Sequence, residues 1–538
     1  MRVALLTVYS HDACTLKDVA GGFGTVFRVG TSVGARLLER AKTRVASLPP
    51  SMLALVAAYA RLAGHEVQVV EVRAPEGEAA ARARATVDAD VVVLCSSIVD
   101  APAEREVAAS LRGMGRRVIA VGAYATARPH EYDDVCDAVV RGEPEALGTS
   151  LFDATLEGVV DAGWVSDLDA LPLPDWTAFD ISRHRYAFLG PGPVLPVSSA
   201  RGCAYGCGYC PWRVTAPFRQ RAPAAVASEV AELARRHDVR AFAFRDPLFN
   251  LDRDRVLAIA GLLRPMNLRW SAEMRADRLD GDLLRALRDA GLRSLELGVE
   301  SIDRQMLASE HRKPPKFEQI RAVVRDAQRL GIRVVANYML GLPDDDEGKF
   351  RATVAFAREL DAFAVQFTVA TPYPGTALAD RVAGRLRVVD PSKHTGWTPT
   401  FAHDHLSAER IEELREWAYL DYHYRVRYAV RFLRHAIPAL VEEAADALRR
   451  ALEARRGRVE ATAPTEDPAP SLVPSRAAPA PRPPTAPRPE GHTPPTAAPP
   501  IAAPGIAKAC TAAPTTATSP PSLRAIPDPA WHAERLSR

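Results

Sequence analysis

What constrains the fold most is a rhythm: short apolar runs without polar alternation, each followed by a stretch of helical period, repeated from Val3 to about residue 370. A strand that is apolar on both faces must be covered on both faces. The covering helices also supply the long crossovers that parallel strands need. The runs at 3–8 (VALLTV), just after Gly64, at 89–97 and at 116–123 form a first series. Residues 1–150 are therefore expected to be a Rossmann-like, doubly wound domain whose ligands lie beyond the carboxyl ends of its strands. After a turn-rich linker, 151–190, the rhythm resumes at 194–200, 240–246, 268–274, 293–300, 332–340 and 362–370. Six strand–helix units in about 180 residues predict an open, partial (β/α)6 barrel over 191–385. The expected class is α/β, completed by a helical C-terminal segment, 386–456.

The remaining stretch, 457–538, differs in kind. Residues 461–538 hold 20 of the 44 prolines, with Ala, Thr and Ser filling most of the rest. Such a Pro/Ala-rich tail buries too little apolar surface to offset its ordering entropy, and it is expected to be disordered. A formal charge of +3 over 538 residues leaves no basic footprint of a nucleic-acid binder. No window offers the roughly 18 apolar residues of a membrane span, and the start lacks a secretory signal. A cytoplasmic location is expected.

Chemistry concentrates in SSARGCAYGCGYCPW, directly after the first barrel strand, where Cys203, Cys207 and Cys210 form a C-x3-C-x2-C array. Three thiolates on one short loop can hold three corners of an iron–sulfur cube and leave the fourth iron open. Structural zinc is the alternative, but it normally takes four protein ligands and no second Cys or His pair lies nearby. Seven cysteines, an odd number, argue against a disulfide framework.

This array, read with the barrel over about 190–380, resembles the signature of the radical S-adenosylmethionine superfamily. The resemblance implies a 4Fe-4S cluster on the three cysteines and S-adenosyl-L-methionine chelated at the open iron. Reductive cleavage there gives a 5′-deoxyadenosyl radical that abstracts hydrogen from the substrate. It also implies further cofactor contacts: Tyr209 beside the adenine, Glu300 and Ser301 of LGVES at the ribose or methionine portion, and Leu340 and Gly341 of YMLGLP passing the adenine. TPYPGT at 371–376 resembles the closing segment of the cobalamin-associated branch, or is a rigid Pro-Gly turn. Asp246 and Arg275 either face the pocket or make surface ion pairs.

The order of elements in residues 1–150 resembles the cobalamin-binding domain found ahead of many such enzymes. On that resemblance Ser96, Ser97, Gly122, Gly142 and Glu143 occupy strand ends against a corrinoid. No D-x-H-x-x-G motif offers cobalt a histidine, and Ala123 stands where a second glycine is usual. The Gly-rich stretch at 20–30 lacks the ending of a phosphate loop and reads as a mobile loop near the active-site mouth.

The resulting expectation is a cobalamin-associated radical enzyme leading to C-methylation, cyclisation or rearrangement of a small molecule, with an external flavodoxin- or ferredoxin-type electron donor. A vestigial domain that binds no corrinoid, or a non-catalytic iron–sulfur or corrinoid carrier, stays open at this point. The sequence does not show which of Tyr419, Tyr422, His423 or Arg425 turn inward.

Overall fold

The computed structural model describes residues 1–314 and 316–434. The tail, and the part of the helical segment beyond residue 434, lie outside the described residues.

Two six-stranded parallel sheets organise the described residues. The first comprises β1 (Arg2–Tyr9), β2 (Glu66–Arg73), β3 (Val91–Cys95), β4 (Arg117–Val121), β5 (Ala138–Gly142) and β6 (Gly158–Gly163). Their order is β2-β1-β3-β4-β5-β6, so the winding reverses between β1 and β3, as a doubly wound sheet requires. β3 is buried along its whole length, which explains its unbroken apolar run. The helix Ser51–Leu62 is apolar nearly all round because it is enclosed. One side meets the sheet, and the backbone N–H of Asp175 reaches the Ala54 carbonyl at 2.8 Å from another. β6 pairs with β5 from Ala138 opposite Gly158. The sheet thus extends past residue 150 into the stretch read from sequence as linker.

The second sheet contains β7 (Val194–Val197), β8 (Ala241–Phe244), β9 (Arg269–Met274), β10 (Leu292–Glu300), β11 (Arg333–Leu340) and β12 (Ala364–Val369), paired in sequence order. β7 and β12 remain edges, so the barrel is open. Aspartates cap the helices that follow its strands: Asp280 accepts from Leu283 N at 2.8 Å, and Asp346 from Lys349 N at 2.9 Å. The helix Ala408–His423 seals the β12 side, where the Tyr419 hydroxyl accepts from Phe367 N at 2.9 Å.

One reading needs correction. The Gly-rich stretch at 20–30 is not a loose loop, because Phe23 is fully buried and stacks on Tyr373 at 5.4 Å. Its carbonyl also accepts from Ile98 N at 2.8 Å.

Candidate functional site

The three cysteines lie on a loop with a fixed base. Ala200–Arg201 pairs antiparallel with Arg219–Gln220, closing the residues between them into one excursion after β7. Within it Gly208 N donates to the Glu310 carbonyl at 2.8 Å, and the Gly208 carbonyl accepts from Leu378 N at 2.9 Å. Cys203, Cys207 and Cys210 are free thiols, partly exposed, on the wall of a cavity of about 330 Å³ at the barrel mouth. Burial pushes the Cys203 and Cys210 thiols up, a cost that a bound cation reverses by taking them as thiolates. Among the described residues no three His, Cys, Asp or Glu side chains gather as ligands of a single ion. Thiols spread around a cluster need not converge in that way.

Opposite the loop, β10 turns its polar face inward. Glu296, Gly298 and Glu300 line the cavity while Leu295, Leu297 and Val299 are buried among the helices. Glu300 holds φ +68°, a left-handed conformation uncommon outside glycine. Arg312 reaches back to it, 3.3 Å from the carboxylate, and donates to the Gly298 carbonyl at 2.7 Å. Burial pushes the Glu300 carboxyl up, against the pull of Arg312 and Arg275. Tyr209 also lines this cavity, and its hydroxyl is buried without a hydrogen-bond partner. Arg275 stacks on the Tyr205 ring at 4.6 Å.

A second cavity, about 180 Å³, opens at the carboxyl ends of β3, β4 and β5. Ser96, Gly122, Ala123, Gly142 and Glu143 line one side, and Arg201, Gly202 and Trp212 of the cysteine loop line the other. No histidine is among the lining residues described. Asp18, Trp212 and Arg245 line both cavities and form the wall between them.

Comparison with known proteins gives the same division. A family model described as the radical SAM superfamily matches residues 197–357, and a B12 binding domain model matches 41–151. The chain belongs to the radical S-adenosylmethionine superfamily, with a B12-binding domain ahead of its barrel. An uncharacterized methyltransferase of Pyrococcus horikoshii is 25% identical over 320 residues, 55% of this chain and 69% of that protein. The bacteriochlorophyllide d C-12(1)-methyltransferase of Chlorobaculum tepidum is 23% identical over 334 residues, 60% and 72% of the two chains. Among solved structures, the radical S-adenosylmethionine methyltransferase TsrM from Kitasatospora setae, with cobalamin and a [4Fe-4S] cluster bound, superposes with TM-score 0.54. That match is 15% identical and covers 77% of this chain and 88% of TsrM, a likeness of fold.

The residues of this radical S-adenosylmethionine enzyme suit their cofactors. Three thiols on one loop and one cavity wall suit a cluster, and the orphan Tyr209 hydroxyl and the Glu300–Arg312 pair suit polar contacts to S-adenosylmethionine. The strand ends suit a flat ligand because Gly122 and Gly142 line the cavity with backbone alone. The fold itself requires both glycines: at Gly122 (φ +109°) an added Cβ would stand 3.1 Å from Ser96 Oγ, and at Gly142 it would overlap the Gly163 carbonyl.

Other residues singled out in the sequence have different surroundings. Ser97 does not line the second cavity: its hydroxyl is buried with Lys17 at 2.8 Å and Glu104 at 2.9 Å. Ser301 Oγ accepts from Asp303 N at 3.1 Å, off the cavity wall. Leu340 points into the core and Met339 faces the cavity in its place, since β11 alternates. Gly341 donates to Asp345 at 2.8 Å and its carbonyl meets His403 at 2.7 Å. Glu143 is held by Arg201 at 3.0 Å and Arg219 at 2.7 Å. Asp246 makes neither a surface pair nor a cavity contact; it is buried against Ser199 N at 2.7 Å. Tyr419 and Tyr422 are buried outside the cavity, the latter donating to the Ala362 carbonyl at 2.6 Å. His423 and Arg425 are likewise absent from the cavity wall.

Proposed function

We propose that this chain is a cobalamin-dependent radical S-adenosylmethionine enzyme that abstracts hydrogen from an unactivated carbon of a small molecule, with methylation as the favoured outcome and cyclisation or rearrangement as the alternatives. The reading rests on one observation above others: Asp18, Trp212 and Arg245 are common to the cysteine-loop cavity and the strand-end cavity. A substrate carbon at that wall is within reach of groups held on either side.

When bound, the cluster and S-adenosylmethionine supply one-electron cleavage chemistry and cobalamin supplies a transferable methyl group. The chain's own residues bind and orient. Cys203, Cys207 and Cys210 would hold three irons. Glu300, kept beside Arg312, and the Tyr209 hydroxyl would orient S-adenosylmethionine. Ser96, Gly122 and Gly142 would face the corrinoid, with Glu143 fixing the adjoining strand end through Arg201 and Arg219. We take the first sheet, from residue 1 through β6, as the corrinoid domain, 191–385 as the barrel and an external flavodoxin- or ferredoxin-type protein as the electron source.

Anaerobic reconstitution tests this. The expected result is a reducible four-iron cluster, formation of 5′-deoxyadenosine, and a corrinoid spectrum that stays with the protein through gel filtration after incubation with hydroxocobalamin. Cys207→Ala should abolish cluster and cleavage while corrinoid retention survives. A colourless protein after gel filtration would remove cobalamin from the proposal; absence of 5′-deoxyadenosine would remove the radical step.

A further inference from the structure

The cysteine-loop cavity is also lined by charged groups that the cofactor-binding residues do not pair. Glu273 on β9 and Glu296 on β10 are direct register partners, and both line the cavity. Adjacent carboxylates on neighbouring strands repel each other. Glu296 accepts a hydrogen bond from the Tyr186 hydroxyl at 2.8 Å. Burial and the Glu296 charge push the Glu273 carboxyl up to about 8, with only the longer-range pull of Arg245 against them.

A second observation lies beside this pair. Asp18, its side chain 10% exposed, accepts from Arg245 Nε at 3.0 Å, and its other carboxylate oxygen is buried with no partner. Of the other charged groups on the cavity wall, Arg312 is paired with Glu300, Arg275 with Asp277, and Lys42 lies over the Phe27 ring. Asp18, Glu273 and Glu296 are left with Arg245, which has donors beyond the one given to Asp18. The raised Glu273 carboxyl keeps its proton in the ligand-free protein, while Glu296 and the unpartnered Asp18 oxygen remain as acceptors; a bound ammonium would meet these and let Glu273 ionise as well. The cavity's 330 Å³ is at the low end for ligand pockets, and part of it must serve S-adenosylmethionine.

We infer that Asp18, Arg245, Glu273 and Glu296 form the substrate anchor, and that the substrate is a compact amine, protonated when bound, carrying an oxygen acceptor for Arg245. Amino acids and amino sugars share that chemistry. The inference rests on the proposed radical function for its cofactors, though not for its test.

The test is calorimetric titration of the full chain, both apo and loaded with cluster and hydroxocobalamin, using matched probes. Glucosamine is compared with glucose, and L-threonine with 2,3-dihydroxybutyrate. In at least one pair the amine should bind about tenfold more tightly, equivalent to ~1.4 kcal/mol. The pair that responds identifies the source. Glu273→Gln and Glu296→Gln should each reduce the preference to less than about threefold, or ~0.65 kcal/mol, and near-ultraviolet dichroism checks that they fold. The anchor is overturned if neither pair shows a preference, if the preference survives both substitutions, or if protoporphyrin IX binds saturably instead. A chain that discriminates amines but loads no cofactor would overturn the radical reading and leave the anchor standing.

Discussion

Tyr209 brings a hydroxyl into a buried place and gives it nothing to bond. An unpartnered buried hydroxyl costs about 1–3 kcal/mol, so a side chain of this kind is tolerated where a ligand completes it. Tyr209→Phe should therefore leave the ligand-free protein as stable as the parent or more so, by up to about 1 kcal/mol. The same substitution should weaken S-adenosylmethionine binding by about five- to tenfold if one neutral hydrogen bond is lost. Thermal melts with and without S-adenosylmethionine separate the two effects: ligand-induced stabilisation shrinks in the variant while the apo value does not fall. A drop in apo stability would mean that the hydroxyl is structural. Ser97 is the contrasting residue. It joins Lys17, Asp100 and Glu104 in a buried set in which Lys17 Nζ stands 3.0 Å from Asp100, and a serine so engaged has little left for a ligand.

At the scale of the element, β10 shows what the sequence displays and what it conceals. Glu300 is legible because a carboxylate at the end of an apolar strand needs a reason to be there. Glu296, two turns of the pleat earlier on the same face, and Glu273 are not legible in that way, because the stretch reads as one buried strand. The available signal was period two, with Ser294, Glu296, Gly298 and Glu300 on one face and Leu295, Leu297 and Val299 on the other. An open barrel with a polar interior produces that alternation. Arg312 offered no such signal, since it belongs to a later loop that folds back on the strand end. The element also sets a pH dependence. Glu273 feels the charges of Glu296, Arg245, Asp18 and, from outside the cavity wall, Asp246, and its carboxyl is held up near 8 in the fold. A raised carboxyl binds its proton more tightly when folded. Its cost is absent below the ordinary carboxylate range, grows as pH rises towards 8, and is constant above. With the cavity wall partly open to water, we discount the full linkage to roughly 1–3 kcal/mol. Glu273→Gln should then raise the melting temperature of the apo enzyme at pH 8.5 by about 1–3 °C. The difference should fade by about pH 5. An equal gain at both pH values would place the effect in packing.

At the scale of the molecule, the class and order of the two sheets were legible, because each depends on patterns local to a strand and its helix. The seam between them was not, since its contacts join residues far apart in the chain. Phe23 stacks on Tyr373, Val26 N donates to the Thr395 carbonyl at 3.0 Å, and Arg245 meets Asp18 across 227 residues of sequence. Arg201 is the most instructive of these. It stands two residues before Cys203 and bonds both Glu143 and Glu145 at 3.0 Å, so the base of the cysteine loop is tied to the end of β5. Glu145 is almost wholly enclosed, burial pushes its carboxyl up, and one of its oxygens has no hydrogen-bond partner. Removing Arg201 alone leaves that charge uncompensated, at a cost of roughly 3–5 kcal/mol. Arg201→Met should accordingly lower the melting temperature and the iron retained after reconstitution. If the loss arises from the stranded carboxylate, Arg201→Met combined with Glu145→Gln should recover at least half of the stability, because the buried pair is then replaced rather than broken. If the double variant melts no higher than the single one, the guanidinium acts through Glu143 and the cysteine loop itself, and iron content rather than stability should follow Glu143→Gln.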